Sequence, residues 1–181
     1  YIFYGDTSYS TAAASADVTI DGEASSAFGS ALTTGDFNAD GEIDLAVGAQ
    51  IYSTNVGRAY IFYNDGAYPS TAASADVTIA GQSSSYFGNA LVAGDLDASG
   101  TTDLVIAAFL GDTSVSNAGK IFIFHNDGSI PTTAATADVT ITGDTFVSLA
   151  LGSALVVGDF NADGKVDLGA GADNNGAYGS S

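Results

Sequence analysis

One stretch of fifteen residues occurs three times in this sequence, each time with its aspartates in the same places. It reads GDFNADGEIDLAVGA from Gly35, GDLDASGTTDLVIAA from Gly94 and GDFNADGKVDLGAGA from Gly158. If its first aspartate is counted as position 1, every copy has an oxygen-bearing side chain at positions 1, 3, 5 and 9 and a glycine at position 6. Residues 36–44, 95–103 and 159–167 are therefore called the first, second and third loops.

Alternating oxygen ligands in a tightly turned loop are typical of a site for a hard divalent cation. Ca²⁺ takes about six to eight oxygens at about 2.3–2.6 Å, and the glycine permits the sharp turn. Position 7 varies from acid to base, so we expect it to contribute its backbone carbonyl. The sequence predicts about three Ca²⁺ sites, with these ligands: Asp36, Asn38, Asp40, Glu42 and Asp44; Asp95, Asp97, Ser99, Thr101 and Asp103; Asp159, Asn161, Asp163, Lys165 and Asp167.

Two other interpretations of these loops are less favoured. An EF-hand needs a bidentate Glu at position 12 between two helices, whereas this position is Val47, Ile106 or Ala170. A simple turn rich in Asp, Asn and Gly would explain one copy, but not three copies in one register. Oxygen-only ligation favours Ca²⁺ over Mg²⁺. We expect the second site to be the weakest, because Ser99 supplies a neutral hydroxyl where the other loops supply Asp.

The segments between the loops predict short strands and no helix. Apolar and β-branched runs follow each loop, and aromatic runs occupy residues 1–4, 60–63 and 122–125. Alternating Asp-Val-Thr-Ile segments begin at Asp17, Asp76 and Asp138, after linkers rich in Ser, Thr and Ala. A further strand signal precedes each loop, at residues 28–32, 87–91 and 151–155. Each repeat thus has four strands.

The spacing of the loops predicts an all-β repeat domain of propeller type. The first aspartates, Asp36, Asp95 and Asp159, are 59 and 64 residues apart, and four short strands in such a period are typical of a propeller blade. We expect one repeat domain over residues 1–181, with complete blades at 28–79 and 87–141 and open half-blades at 1–20 and 151–181. Either successive copies complete each other's half-blades, or the chain is part of a longer propeller.

The motif as a whole resembles the FG-GAP repeat of integrin α-subunit propellers and their bacterial relatives. The resemblance rests on Phe28-Gly29, the aspartate loop and Gly48-Ala49, and it implies Ca²⁺ at the loop positions given above, on a propeller of usually seven blades that acts in extracellular adhesion. The chain departs from this pattern in four ways: Leu151 replaces the Phe, Ala107-Ala108 replaces Gly-Ala, no proline follows the Gly-Ala, and there are three repeats instead of seven.

Composition excludes several classes of partner. With 3 basic against 21 acidic residues the formal charge is −18, which disfavours nucleic acid and anionic membrane surfaces. There is no cysteine and no apolar run of membrane-spanning length, so we expect no membrane insertion. Weak calcium loops fit the millimolar Ca²⁺ outside cells, and we expect an extracellular or cell-surface protein.

No catalytic arrangement is visible in the sequence, and we expect no enzyme. His125 is the single histidine and matches Tyr63 and Tyr4 in the other repeats, which indicates a strand position; Arg58 and Lys120 are expected at solvated strand ends. The favoured function is an extracellular Ca²⁺-binding propeller in adhesion, or a self-assembling component of a surface, matrix or fibre. The alternative is a carbohydrate-binding or accessory propeller module of a secreted hydrolase. Expected partners are other copies, the remainder of a longer propeller, a glycan or a matrix protein.

Overall fold

The computed structural model describes residues 1–5, 9–82, 85–110, 118–143 and 150–173, which form three antiparallel sheets. The first sheet pairs β1, β2, β3 and β4 in chain order, the second pairs β5 to β8 in the same way, and the third pairs β9 with β10. The all-β prediction is confirmed. The strands are β1 Phe28–Gly35, β2 Asp44–Ala49, β3 Arg58–Phe62, β4 Val77–Ala80, β5 Phe87–Gly94, β6 Asp103–Ala108, β7 Lys120–Phe124, β8 Val139–Thr142, β9 Ala150–Gly158 and β10 Asp167–Asp173.

Short helical turns occur where the sequence predicted none, and this prediction is wrong. Each Ser/Thr/Ala linker has a 3₁₀ turn, at Ala13–Ser15, Ala72–Ser74 and Ala134–Thr136. In all three, the N–H after the turn donates to the carbonyl of its first alanine, so the linker satisfies its own backbone locally. A helical turn at Tyr52–Asn55 contains residues with positive φ. Among the described residues, no helix has the length and apolar character needed to cross a bilayer.

The N-terminal segment forms one antiparallel bridge instead of the two expected strands. Ile2 bridges Val18, as Ile61 pairs with Val77 between β3 and β4. The N–H of Tyr4 donates to Asp17 Oδ2 at 2.7 Å, which repeats the bond between Tyr63 and Asp76. The backbone contacts are therefore those of a β3–β4 pair. The pairing stays short because no described strand lies beside residues 1–4 in the way that β2 lies beside β3.

The sheets pack face to face and share two apolar interfaces. Alanines and isoleucines of the first sheet meet the larger side chains of the second, which explains why β2 and β6 are buried almost throughout. The second sheet meets the third through Val105, Ile121 and Ile123 against Leu151, Leu155 and Leu168. The first interface includes Ala46, Ala59, Ile61, Ile79, Phe87, Leu91, Leu104, Ile106, Phe122 and Phe124.

Glycines set the close approach between the first two sheets. A Cβ placed on Gly48 would lie 2.0 Å from the Gly88 carbonyl oxygen, and one on Gly88 would lie 2.6 Å from the Arg58 carbonyl oxygen. Gly88 also has φ +89° at the irregularity in the β5–β6 register. The Phe-Gly and Gly-Ala motifs thus meet across neighbouring sheets. At the next interface Gly152 faces the Cβ of Ala107, so the departure from Gly-Ala replaces one small residue by another.

Candidate metal centre

The three loops occupy equivalent places in the fold, because each joins the first two strands of its sheet. The first connects β1 to β2, the second β5 to β6, and the third β9 to β10. Their backbones share two positive φ values, at position 4 (59° to 62°) and at the position-6 glycine (86° to 90°). The second value explains the glycine, since other residues are strained there. The alanine at position 4 is a left-handed residue that the sequence analysis did not single out.

Hydrogen bonds draw positions 1, 3 and 5 of each loop together. In the first loop the N–H of Asp40 donates to Asp36 Oδ1 and to Asn38 Oδ1, at 3.1 Å in both cases. Because two side-chain oxygens share one donor, they converge on one region of the loop. Asn38 Nδ2 donates to Asp40 Oδ2 at 2.8 Å, which joins the third member. The same shared donor recurs at Ser99 in the second loop and at Asp163 in the third.

The aspartate at position 9 has a different role, since it ties the loop to the sheet. Asp44 is fully buried, and its Oδ2 accepts from the N–H of Phe37 while its Oδ1 accepts from the N–H of Asn64. Asp103 makes the same two bonds, to the N–H groups of Leu96 and Asn126. In the third loop, Asp167 Oδ2 accepts from the N–H of Phe160. A metal ion bound by Asp44 or Asp103 would contact the carboxylate lone pairs that these hydrogen bonds leave unused.

At position 7 the backbone is engaged in all three loops, and in the second loop the Thr101 hydroxyl also contacts Ser99 Oγ at 2.7 Å and donates to the Asn126 carbonyl at 2.9 Å. The N–H groups of Glu42, Thr101 and Lys165 donate to the position-5 side chain. This explains why an acid, a hydroxyl and a base are all accommodated there. Ligation through the position-7 carbonyl stays a prediction.

The loop carboxylates form no ion pair with a lysine or arginine among the described residues. Their charge is balanced mainly by backbone N–H groups. Hydrogen bonds from the backbone, that of Gly164 first, lower the pKa of Asp159. Hydrogen bonds from Ser99, first its side chain and then its backbone, lower the pKa of Asp97. Asp97 and Asp159 are therefore ionised at neutral pH, and both are exposed to solvent.

His125 is the residue at the candidate sites that sequence reasoning missed. It follows β7 directly, and its Nδ1 lies 3.3 Å from Asp103 Oδ2 and 3.7 Å from Asp97 Oδ2. In the described part of the chain, these three side chains bring one ligand atom each within 4.8 Å of the others. Burial would lower the pKa of His125, but the hydrogen bond to Asp103 and the neighbouring carboxylates outweigh this effect and raise it. The signal in the sequence was a histidine where the other repeats have tyrosine.

Arg58 is not the solvated strand end that the sequence suggested. Its Nη1 lies 3.3 Å from Glu23 Oε2, and its guanidinium carbon lies 3.6 Å from the centre of the Tyr52 ring. The Tyr60 hydroxyl donates to the same Glu23 oxygen at 2.9 Å. Burial, followed by this hydrogen bond, raises the pKa of Tyr60 to about 12. The cluster fastens the segment before β1 to β3.

Comparison with known proteins supports the reading of the first sheet. The family model of the FG-GAP repeat matches residues 28–62, which cover β1, the first loop, β2 and β3. The chain contains an FG-GAP repeat. No curated protein matches the chain. The FG-GAP repeat suggests a module of β-propeller type, and the antiparallel four-stranded sheets agree with that class.

The donor set of the FG-GAP loop fits a hard cation. The side chains that converge in the first and third loops are carboxylates and amides, the oxygen donors that Ca²⁺ prefers. A calcium ion bound there would supply positive charge to carboxylates that otherwise have only N–H partners. The second loop differs, because it adds an imidazole nitrogen.

Proposed function

We propose that this protein is a non-enzymatic, extracellular calcium-binding module of β-propeller type that acts in adhesion or as a self-assembling structural component. The observation that carries the proposal is the repetition of one loop geometry at three equivalent places, each with carboxylates that meet no lysine or arginine among the described residues. Calcium would be held by the fifteen loop residues predicted from the sequence, with Glu42, Thr101 and Lys165 contributing carbonyl oxygens.

Bound calcium would act here as part of the fold. Binding to the folded state alone stabilises by about 2.7 kcal/mol when the ligand is at a hundred times its dissociation constant. We therefore expect the unfolding temperature of EDTA-treated protein to rise on addition of CaCl₂ and to fall again with excess chelator. Magnesium at the same concentration is the control for ionic strength. An identical unfolding temperature in EDTA and in millimolar CaCl₂ would contradict the calcium part of the proposal.

Two exposed faces support self-association as the structural role. The head face is the outer side of the first sheet, where Leu32 is 60% exposed; its equivalent in the second sheet, Leu91, is 6% exposed because the first sheet covers it. A groove of about 450 Å³ opens on the head face. Apolar residues contribute most of its lining, and they come from the N-terminal segment and from the first sheet: Tyr1, Ile2, Ile20, Phe28, Leu32 and Val47.

The tail face lies at the other end of the stack, on the third sheet. Val156 is 54% exposed and Phe160 is 61% exposed. A Cβ on Gly169 would lie 2.9 Å from Val156 Cγ1 and 3.4 Å from Phe160 Cε2, so these three residues share one surface. The equivalent residue of the first loop, Phe37, is 1% exposed because it packs against the second sheet.

The occupant that we propose for the head face is the tail face of a second copy. The head face is equivalent to the face by which the second sheet contacts the first. The tail face is equivalent to the face by which the first sheet contacts the second. A head-to-tail contact would repeat that packing, with Phe160 of one copy in the place that Phe37 has beside the second sheet. Because each copy carries a formal charge of −18, association should need calcium to reduce the repulsion.

Sedimentation velocity of the chain with CaCl₂ and with EDTA tests this role, with electron microscopy of the same samples to show rings or fibres. We expect concentration-dependent association in calcium that Leu32→Asp and Phe160→Asp each abolish. Ile51→Asp is the matched control, since Ile51 is also exposed, follows β2, and contributes neither to the groove on the head face nor to the surface around Gly169. A monomer at micromolar concentration in calcium would contradict self-association.

A sugar-binding module remains the second candidate. The observation that favours it is the exposure of Tyr1, Tyr4 and Tyr9, because exposed aromatic rings can stack on sugar faces. Reproducible signals on a glycan array that vanish in a Tyr1→Ala/Tyr4→Ala/Tyr9→Ala variant would support this function. Calcium-dependent association with an empty array would favour the structural role.

A further inference from the structure

The second loop differs from the other two at three places that lie side by side. Position 3 is Asp97, where the other loops have asparagine, and position 5 is Ser99, where they have aspartate. The second loop thus has a carboxylate at position 3 instead of position 5. The third difference is His125, which directly follows β7; the equivalent residue in the first repeat is Tyr63. The carboxylate at position 3, that of Asp97, faces the imidazole of His125.

The oxygens of this group that face His125 are the ones that a cation could use. Asp97 Oδ1 accepts from the N–H of Ser99, whereas Asp97 Oδ2 faces His125 Nδ1 at 3.7 Å. Asp103 Oδ1 accepts from the N–H of Asn126, whereas Asp103 Oδ2 accepts from the N–H of Leu96 and faces Nδ1 at 3.3 Å. Nδ1 and two carboxylate oxygens therefore border one small space. Asp103 is fully buried, Asp97 is exposed and His125 is partly exposed, so the group is open to solvent on one side.

The spacing of these atoms matches a small transition-metal ion. Zinc binds imidazole nitrogen and carboxylate oxygen at about 2.0–2.2 Å in tetrahedral geometry, which separates two ligand atoms by about 3.3–3.6 Å. The two distances from His125 Nδ1, 3.3 Å and 3.7 Å, need little adjustment, and all three ligand atoms lie within 4.8 Å of one another. Ca²⁺ takes oxygen ligands, whereas imidazole suits zinc and other first-row divalent metals.

We propose that Asp97, Asp103 and His125 form a site for a divalent transition metal of the zinc class, with water completing the coordination. The inference builds on the proposed function only in that the second loop is a metal loop; it changes the metal. The protein then has two kinds of site: oxygen-only sites for calcium in the first and third loops, and a mixed nitrogen and oxygen site in the second. The second loop, which we expect to bind calcium most weakly, is then the one that selects a transition metal.

The experiment titrates the EDTA-stripped full chain, purified without a histidine tag, with ZnCl₂ by calorimetry in millimolar CaCl₂. Co²⁺ serves as a second probe, because its visible absorption reports nitrogen and oxygen coordination. We expect one saturable zinc site. His125→Tyr, which installs the residue of the first repeat, should weaken zinc binding at least about tenfold and remove the cobalt absorption. Calcium binding by the first and third loops should be unchanged.

Two controls keep the outcome interpretable. Asp97→Asn installs the residue of the other loops at an exposed position, so it should fold normally and also lose zinc affinity. Tyr63→Phe alters the equivalent place in the first repeat and should leave zinc binding unchanged. Equal zinc affinity in the wild type, His125→Tyr and Asp97→Asn would overturn the proposal and leave the contact of His125 with Asp103 as a structural one. A separate CaCl₂ titration of the EDTA-stripped chain without zinc reports the calcium sites, so zinc binding without calcium binding would refute the calcium part of the proposed function alone.

Discussion

The first and third loops have identical sequences over their first six residues, as well as the same glycine before them, and very different surroundings. GDFNADG begins at Gly35 and again at Gly158. Both copies make the same bonds from the position-5 and position-6 N–H groups to the position-1 carboxylate. Phe37 is nevertheless 1% exposed, while Phe160 is 61% exposed. The loop geometry is therefore encoded locally, whereas burial depends on a neighbouring sheet that is far away in sequence.

The largest expected difference between these loops concerns the phenylalanine at position 2. Phe37→Ala should lower the free energy of unfolding by about 3–5 kcal/mol, because it leaves a cavity between the first two sheets. Phe160→Ala should change it by no more than about 0.5 kcal/mol. Urea unfolding of both variants in EDTA checks the pair, at a concentration low enough to prevent association. Equal losses would mean that exposure in the structure does not describe the environment of Phe160.

The position-9 aspartates should show a smaller difference in the same direction. Asp44→Ala removes the acceptor for the N–H groups of Phe37 and Asn64 at a buried place, and we expect a loss of about 2–3 kcal/mol. Asp167 is partly exposed, so water can replace it, and Asp167→Ala should cost less than half as much. Unfolding in EDTA separates this effect from metal binding. A larger loss for Asp167→Ala than for Asp44→Ala would mean that burial does not determine the stability contributed by this aspartate.

Calcium affinity should be lost equally in the two loops, because the ligands at positions 1, 3 and 5 are identical. Asp36→Asn and Asp159→Asn should each weaken one calcium site by at least about tenfold, or ~1.4 kcal/mol. Calorimetric titration of each variant measures the remaining sites. If only one variant loses calcium, then the surroundings and not the local sequence determine binding.

The smallest expected effect is at the position-6 glycines. Gly41 and Gly164 have φ of +90° and +86°, and a Cβ on either would meet no atom within 4 Å. Alanine should therefore cost about 1 kcal/mol in each loop through backbone strain alone. Parallel thermal melts of Gly41→Ala and Gly164→Ala give the two values. A difference above about 0.5 kcal/mol would show that the surroundings contribute as well.

The sequence predicts the parts of the molecule that short-range interactions determine. The turn between positions 1 and 6 closes through hydrogen bonds within six residues, so its pattern is visible in GDFNADG. The four-stranded sheets follow from apolar alternation and turn residues, as in the run from Phe28 to Ala80. The 3₁₀ turns were missed because the linkers lack the apolar periodicity of a helix.

Contacts between distant residues are what sequence reasoning missed. His125 lies 22 residues from Asp103, and β7 brings it there only because β6 and β7 pair in one register. Asn126 donates to the Phe37 carbonyl, 89 residues away, and so joins the second sheet to the first loop. Glu23, Arg58 and Tyr60 meet in the same manner. None of these contacts has a local pattern, since each depends on strand pairing or packing between segments that are far apart in sequence.

The most direct test of the central claim is a calorimetric titration of the EDTA-stripped chain with CaCl₂. We expect saturable binding at two similar sites, those of the first and third loops, and weaker binding at the second. The Asp36→Asn/Asp159→Asn variant should retain only the weak site. If the wild type shows no saturable binding up to millimolar calcium, or if this variant binds calcium as the wild type does, the loops are not calcium sites and the account is contradicted.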